Sequence, residues 1–216
     1  MLYSYKMVND SGFAPNPFYG VLTLATCKSY IRLKRGVGDY IAGFTSKSLR
    51  TSEGSCGDEV GQERLIYLMK VTEKLTIEEY YKDARFQCKI PSYNSGIIAK
   101  TGDNIYEPDG KGDFTNISKY SHKGESSNEE IRHKEEMKHK IRDLSGQYVL
   151  ISNDFYYFGS GAINVDNCGI KKPKVQSGYG VKSPDIAGLL EYLKEFKPNT
   201  VLNAPHLWKE NEPFNL

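Results

Sequence analysis

The chain has 216 residues, 38% hydrophobic and 12% aromatic, with 16 tyrosines and a formal net charge of +2. That length suits one domain, 1–216, with a full core, and so many aromatics argue against a disordered chain. The near-neutral charge argues against a broad basic face for duplex DNA, while leaving room for a mononucleotide or one flipped base.

Leu2 to Val8 alternates as a first strand, and Asn9-Asp10-Ser11-Gly12 closes it with turn residues. Gly12 to Gly20 reads as a rigid loop, with two prolines fixing φ between flanking glycines. From Thr23 to Lys34 the spacing of Leu24, Cys27 and Ile31 predicts a helix capped by Thr23 or Thr26. Its cationic face would be Lys28, Arg32 and Arg35. Tyr40 to Thr45 reads as a buried strand, Ser46 to Gln62 as a polar loop and Arg64 to Val71 as a central strand. Thr76-Ile77-Glu78-Glu79 is a capping box that opens a short helix through Ala84.

Cys88 to Ser127 lacks periodicity and reads as a long loop, functional or mobile. Ser127 to Arg142 is a charged helix lying on the surface. Tyr148 to Ser152 is a buried strand, and Pro184 to Phe196 an amphipathic helix that packs on the sheet. No apolar run reaches membrane-spanning length and the N-terminal stretch has no apolar signal region, so a cytoplasmic protein without a membrane partner is expected. Cys27, Cys56, Cys88 and Cys168 are scattered without CxxC spacing, so no metal and no cofactor is expected.

Three groupings carry candidate chemistry. In the unit from Asp10 to Gly43, a helix start with Lys28 and Arg32 suits a phosphate or carboxylate, although a solvated cationic face is the preferred reading. Cys27 lies beside these cations. None of His122, His133, His139 and His206 stands in a recognisable catalytic frame, so a buried structural cysteine is preferred to a nucleophile. His133 and His139 are spaced as surface residues. In the second grouping, Ser152 to Gly159, Asp154 is a candidate base, metal ligand or acceptor, and Tyr156, Tyr157 and Phe158 a candidate stacking wall. The preferred alternative is a turn in which Asp154 bonds its own backbone. The third, Ser177 to Ser183, is Gly-rich but lacks P-loop spacing.

The runs Asp10-Ser11-Gly12-Phe13-Ala14-Pro15-Asn16-Pro17-Phe18, Thr23-Leu24-Ala25-Thr26-Cys27-Lys28 and Val37-Gly38-Asp39-Tyr40-Ile41-Ala42-Gly43 resemble the signature of the nucleotide modification associated domain family, of its second type. Val149-Leu150-Ile151-Ser152, Phe155 to Gly159 and Gly178-Tyr179-Gly180 resemble its second half, and residues 88–142 are the least family-like part. Gly38 to Phe44 and Leu65 to Glu73 are also distantly similar to the Gly-Asp strand and following strand of PUA-like folds, the EVE and ASCH domains. The resemblance implies an α+β fold with a mixed, strongly curved sheet or small barrel and flanking helices. It also implies a role with modified nucleotides or bases, within DNA or free, in phage and bacterial systems.

The preferred expectation is a binding module. A base would lie between Phe13 or Phe18 and the Tyr156 to Phe158 wall, with Asp10 and Asp154 reading its edge and Lys28 and Arg32 taking the phosphate. Asn16, Ser152 and Tyr157 complete the expected ligand set. The alternative is an enzyme that modifies or hydrolyses a nucleotide or nucleobase, with Asp10 or Asp154 as base or metal ligand and Cys27 as nucleophile. The sequence leaves the choice between them open, together with the oligomeric state.

Overall fold

A computed structural model describes residues 1–55, 57–174 and 180–209 of the chain. In chain order, β1 (Leu2–Lys6), β2 (Leu22–Leu24), α1 (Ser29–Lys34) and β3 (Tyr40–Phe44) come first. A small hairpin of β4 (Arg50–Thr51) and β5 (Gly54–Ser55) precedes β6 (Leu65–Lys70), β7 (Glu73–Thr76) and α2 (Ile77–Lys82). Next come a 3₁₀ turn at Ala84–Lys89, α3 (Ile97–Lys100), a hairpin of β8 (Tyr106–Pro108) and β9 (Phe114–Asn116), and α4 (Glu129–Leu144). The C-terminal part holds β10 (Tyr148–Ser152), β11 (Phe155–Tyr157), β12 (Val181–Ser183), α5 (Ala187–Leu193) and β13 (Thr200–Val201).

Six strands form a mixed sheet in the order β12-β1-β3-β6-β11-β13, with β1 parallel to β3 and β11 parallel to β13. The central strands β3 and β6 read as nearly unbroken apolar runs because both faces of the sheet are covered. One face packs α5 through Leu189 and Leu193 onto Leu2, Ala42, Phe44 and Leu68. The other buries Tyr5, Ile41, Tyr67, Met69 and Tyr157 against Phe18, Leu22, Leu24 and Leu150. Leu22, Leu24 and Leu150 belong to a second sheet, antiparallel β2-β10-β7. The two-residue alternation of β10 turns Leu150 toward this core, while Val149 and Ile151 face a third cluster under α2 with Tyr80, Phe86 and Tyr106. Two unequal sheets are thus stacked with helices outside.

The α+β class is as expected. The larger sheet runs from β12 at one edge to β13 at the other, so it does not close into the small barrel that the PUA-like similarity implied. The helix expected from Thr23 begins only at Ser29. Leu22 to Leu24 is instead drawn into β2 by pairing with β10, and Cys27 and Lys28 take left-handed φ values of 54° and 34° that no helix continues. Neither Thr23 nor Thr26 caps α1, whose N-cap is Lys28 without a side-chain bond. The capping box at Thr76 and Glu79 forms as read, with the Glu79 amide 3.1 Å from the Thr76 hydroxyl. The segment read as a long loop holds α3 and the β8–β9 hairpin. Asn128 caps the charged helix α4 through the Ile131 amide at 3.1 Å.

Candidate active site

Cys27 follows β2 in the sharp left-handed turn before α1, which brings its thiol to the mouth of a cleft rather than into the core. The Nε2 of His122 lies 3.4 Å from the Cys27 Sγ. The opposite ring nitrogen, Nδ1, is paired with Oδ2 of Asp143, near the end of α4. The Asp143 side chain is fully buried and both its oxygens are engaged. Oδ1 accepts the Cys27 backbone N–H at 2.8 Å, and Oδ2 also accepts the Tyr106 hydroxyl at 2.8 Å. The arrangement has the connectivity of a nucleophile, a base and a carboxylate that orients the base.

The charges fit these roles. Burial works against protonation of His122, but its bonds to Asp143 and to the sulfur outweigh burial and push its pKa up to about 9. Burial likewise opposes charge on Asp143, yet the His122 bond, the Tyr106 hydroxyl and the Cys27 amide hold the carboxyl below its usual range. An imidazolium therefore faces the sulfur at neutral pH, with a carboxylate behind it. Phe13 packs edge-on against the His122 ring at 5.2 Å and His139 stacks on it at 4.9 Å, which limits its rotation. His122 itself has a φ of 56°, so three of the six non-glycine residues with positive φ among those described belong to this turn and its partner.

Arg32 locks the two halves of the site together. Its buried guanidinium donates to the carbonyls of Cys27 at 2.8 Å, Tyr148 at 2.7 Å and Asp143 at 2.5 Å. Gly146 leaves the space that the guanidinium fills, since a Cβ there would sit 2.5 Å from the Arg32 Cζ. A cleft of about 780 Å³ opens over the sulfur, lined by Phe13, Lys28, Tyr30, Tyr120 and Arg142 among others. The ligand-capable atoms of Cys27, His122 and Asp143 lie within 4.8 Å of one another, a spacing that a metal would also accept. The Asp143 carboxylate accepts three hydrogen bonds, from His122, Tyr106 and the Cys27 amide, as the orienting member of a triad does.

The chain matches the family described as nucleotide modification associated domain 2 over residues 1–212 of its 216. It belongs to that family. Neither a curated protein nor a solved structure matches it. Within this nucleotide modification associated domain, no helix of the described residues is long and apolar enough to cross a membrane.

Of the residues singled out in the sequence, the cleft of this domain gathers Phe13, Cys27 and Lys28. Cys27 is only partly buried, which corrects its reading as a buried residue, and its sulfur lies beside a histidine. Arg32 is fully buried and bonded to three carbonyls, so it is neither part of a solvated face nor placed to take a phosphate. Asp10 is buried under Tyr157, whose hydroxyl donates to it, and it pairs with His206 Nδ1 at 2.7 Å. Asn16 binds the buried ammonium of Lys89 at 2.8 Å, and Phe18 stacks on Trp208 at 5.3 Å. Ser152 and Asp154 form a turn, with the Ser152 hydroxyl 2.8 Å from the Asp154 carbonyl, at the opposite end of β10 from the Tyr148 carbonyl that Arg32 holds. Tyr157 and Phe158 are core residues rather than an exposed wall.

Of the third grouping, residues 177–179 lie outside the described residues, and Val181 to Ser183 form edge strand β12 beside β1. His122, Asp143 and Tyr106 join Cys27 in this hydrogen-bonded cluster and Arg142 lines the cleft beside it, and the sequence alone placed none of them there. His122 stands in a Ser-His-Lys-Gly stretch without a local motif, and Asp143 looks like one more charge on a charged helix. A visible hint was the Ser145-Gly146 pair that follows Asp143 and Leu144 and stops the helix.

Proposed function

We propose that this domain is a thiol-dependent enzyme that hydrolyses or transfers a group at a carbonyl-type carbon of a nucleotide or nucleobase. The observation that carries the reading is the Cys27–His122–Asp143 triad, and the family description supports the nucleotide class of substrate. The Cys27 sulfur, deprotonated beside the His122 imidazolium, attacks the carbon and forms a C–S bond. The bond to the leaving group then breaks, its electron pair departing with that group, which takes a proton from His122 Nε2. Water, or an acceptor amine in a transfer reaction, next gives a proton to the now neutral His122 and attacks the thioester carbon. The C–S bond breaks and its electrons return to sulfur. Asp143 keeps the ring oriented and pairs with its charge in both steps.

A set of nucleotides and nucleosides bearing N-acyl, O-acyl or carbamoyl groups, read by product mass, tests the reading together with a nucleotide chloroacetamide that alkylates a positioned thiol. Turnover should vanish in Cys27→Ala and fall by about 10²–10⁴ in His122→Ala, and the chloroacetamide should label Cys27 alone. Undiminished turnover in Cys27→Ala, or labelling spread without preference over the cysteines, contradicts the proposal.

A further inference from the structure

The walls of the cleft beside Cys27 carry more positive charge than their own residues neutralise. Lys28, Arg50 and Arg142 line it, and the only acid on the lining among the described residues is Glu125. The Lys28 ammonium sits 4.1 Å over the Tyr5 ring, and no carboxylate of a described residue lies within 4.0 Å of it. Burial lowers its pKa, the Cys27 sulfur opposes that effect, and Arg142 is close enough to add repulsion. The Arg142 guanidinium bonds His139 Nδ1 at 2.9 Å, and its nearest carboxylate, that of Asp143 at 3.9 Å, is already committed within the triad. Two cations that repel one another in a half-enclosed space are relieved by an anion between them.

The same lining carries aromatic surface that faces water. Tyr120, two residues before His122, is 75% exposed with Tyr93 packed edge-on to it. Such a ring offers a stacking surface for a base. The cleft, at about 780 Å³, falls within the size range of small-molecule sites. A net charge of +2 for the whole chain fits a mononucleotide better than a long polyanion.

We infer that the cleft takes a free nucleoside monophosphate, its phosphate between Lys28 and Arg142 and its base on Tyr120. The inference deepens the proposed thiol chemistry by naming its substrate class, and binding itself does not require the sulfur. The test therefore uses the Cys27→Ala protein. It is titrated by calorimetry with ribo- and deoxyribonucleoside 5′-monophosphates, the matching nucleosides, inorganic phosphate and a single-stranded deoxyoligonucleotide.

At least one monophosphate should bind about tenfold or more tighter than its nucleoside and than phosphate alone. Lys28→Gln and Arg142→Gln should each cost about tenfold, while Lys28→Arg retains most of the affinity. Tyr120→Ala should lower affinity about fivefold or more. Equal affinity for nucleoside and monophosphate overturns the inference. So do phosphate alone binding as tightly as any nucleotide, the oligonucleotide binding more tightly than every monophosphate, or no binding at all. Thermal unfolding of each variant separates lost binding from lost folding. Monophosphate binding without Cys27-dependent turnover would sustain this inference and sink the catalytic reading, and the reverse pair of results would do the opposite.

Discussion

At the scale of single residues, His122 sets the pH behaviour of the site. Its folded pKa of about 9 lies above the ordinary histidine value of 6.5, so the folded state binds the proton more tightly than the unfolded chain. The stabilisation is complete below pH 6.5 and is lost as the pH rises through 9. Its full size is at most about 3 kcal/mol. Between pH 6 and pH 9.5, urea unfolding should show the wild type losing stability relative to His122→Gln by up to this amount. An equal change in both proteins would contradict the raised His122 pKa. Arg32 acts through positioning. Lysine at that site cannot reach the Cys27, Tyr148 and Asp143 carbonyls together, so Arg32→Lys should cost about 2 kcal/mol of stability. It should also slow alkylation of Cys27, because it loosens the turn that carries the thiol. Unaltered stability and labelling in Arg32→Lys would remove Arg32 from the account.

At the scale of elements, what was legible depended on how local the signal was. The Thr76 capping box, the apolar runs of β3 and β6 and the buried strand at Tyr148 are written in neighbouring residues, and they form as read. The helix at Thr23 was misplaced because its apolar spacing also suits a short strand, and only pairing with β10 selects the strand. Arg32 read as surface because arginine is seldom fully buried. Nothing nearby in sequence announces carbonyl partners as much as 116 residues away. The turn that ends α4 is part of the proposed catalytic geometry, since it leaves Asp143 facing inward and brings Gly146 against the Arg32 guanidinium. Gly146→Ala should therefore cost about 1–3 kcal/mol and depress both activity and Cys27 labelling. Wild-type stability in that variant, measured by thermal unfolding, would show that the guanidinium has room to move.

At the scale of the whole molecule, the stacked sheets bring together a turn after β2, a loop after the β8–β9 hairpin and the end of α4. The site was hidden in the sequence for this reason: its three members are far apart and each has an ordinary local context. Residues 88–142, which looked least like the family, supply His122 and Tyr106 and most of the helix that carries Asp143. Asp10, Asn16, Phe18, Ser152, Asp154 and Tyr157 were legible as polar or aromatic signature positions, but the fold spends them on buried networks, packing and a turn.

One of those networks makes its own prediction. Burial lowers the Lys89 ammonium to about 8, against the partial support of Asp103, so the unfolded chain binds that proton more tightly than the folded protein. Lys89 therefore holds stability down below pH 8, and this cost is relieved between pH 8 and the ordinary lysine value of 10.5. In a His122→Gln background, chemical unfolding should show stability rising over that window, and a fall there would contradict the buried charge at Lys89.

The central claim is that Cys27 is a nucleophile held ready by His122 and Asp143. It is tested most directly by residue-resolved mass spectrometry of iodoacetamide alkylation at pH 6. The account predicts that Cys27, though partly buried, reacts faster than exposed Cys88 and loses that advantage in His122→Ala and Asp143→Asn. Slower reaction at Cys27 than at Cys88, with no change in either variant, would contradict it.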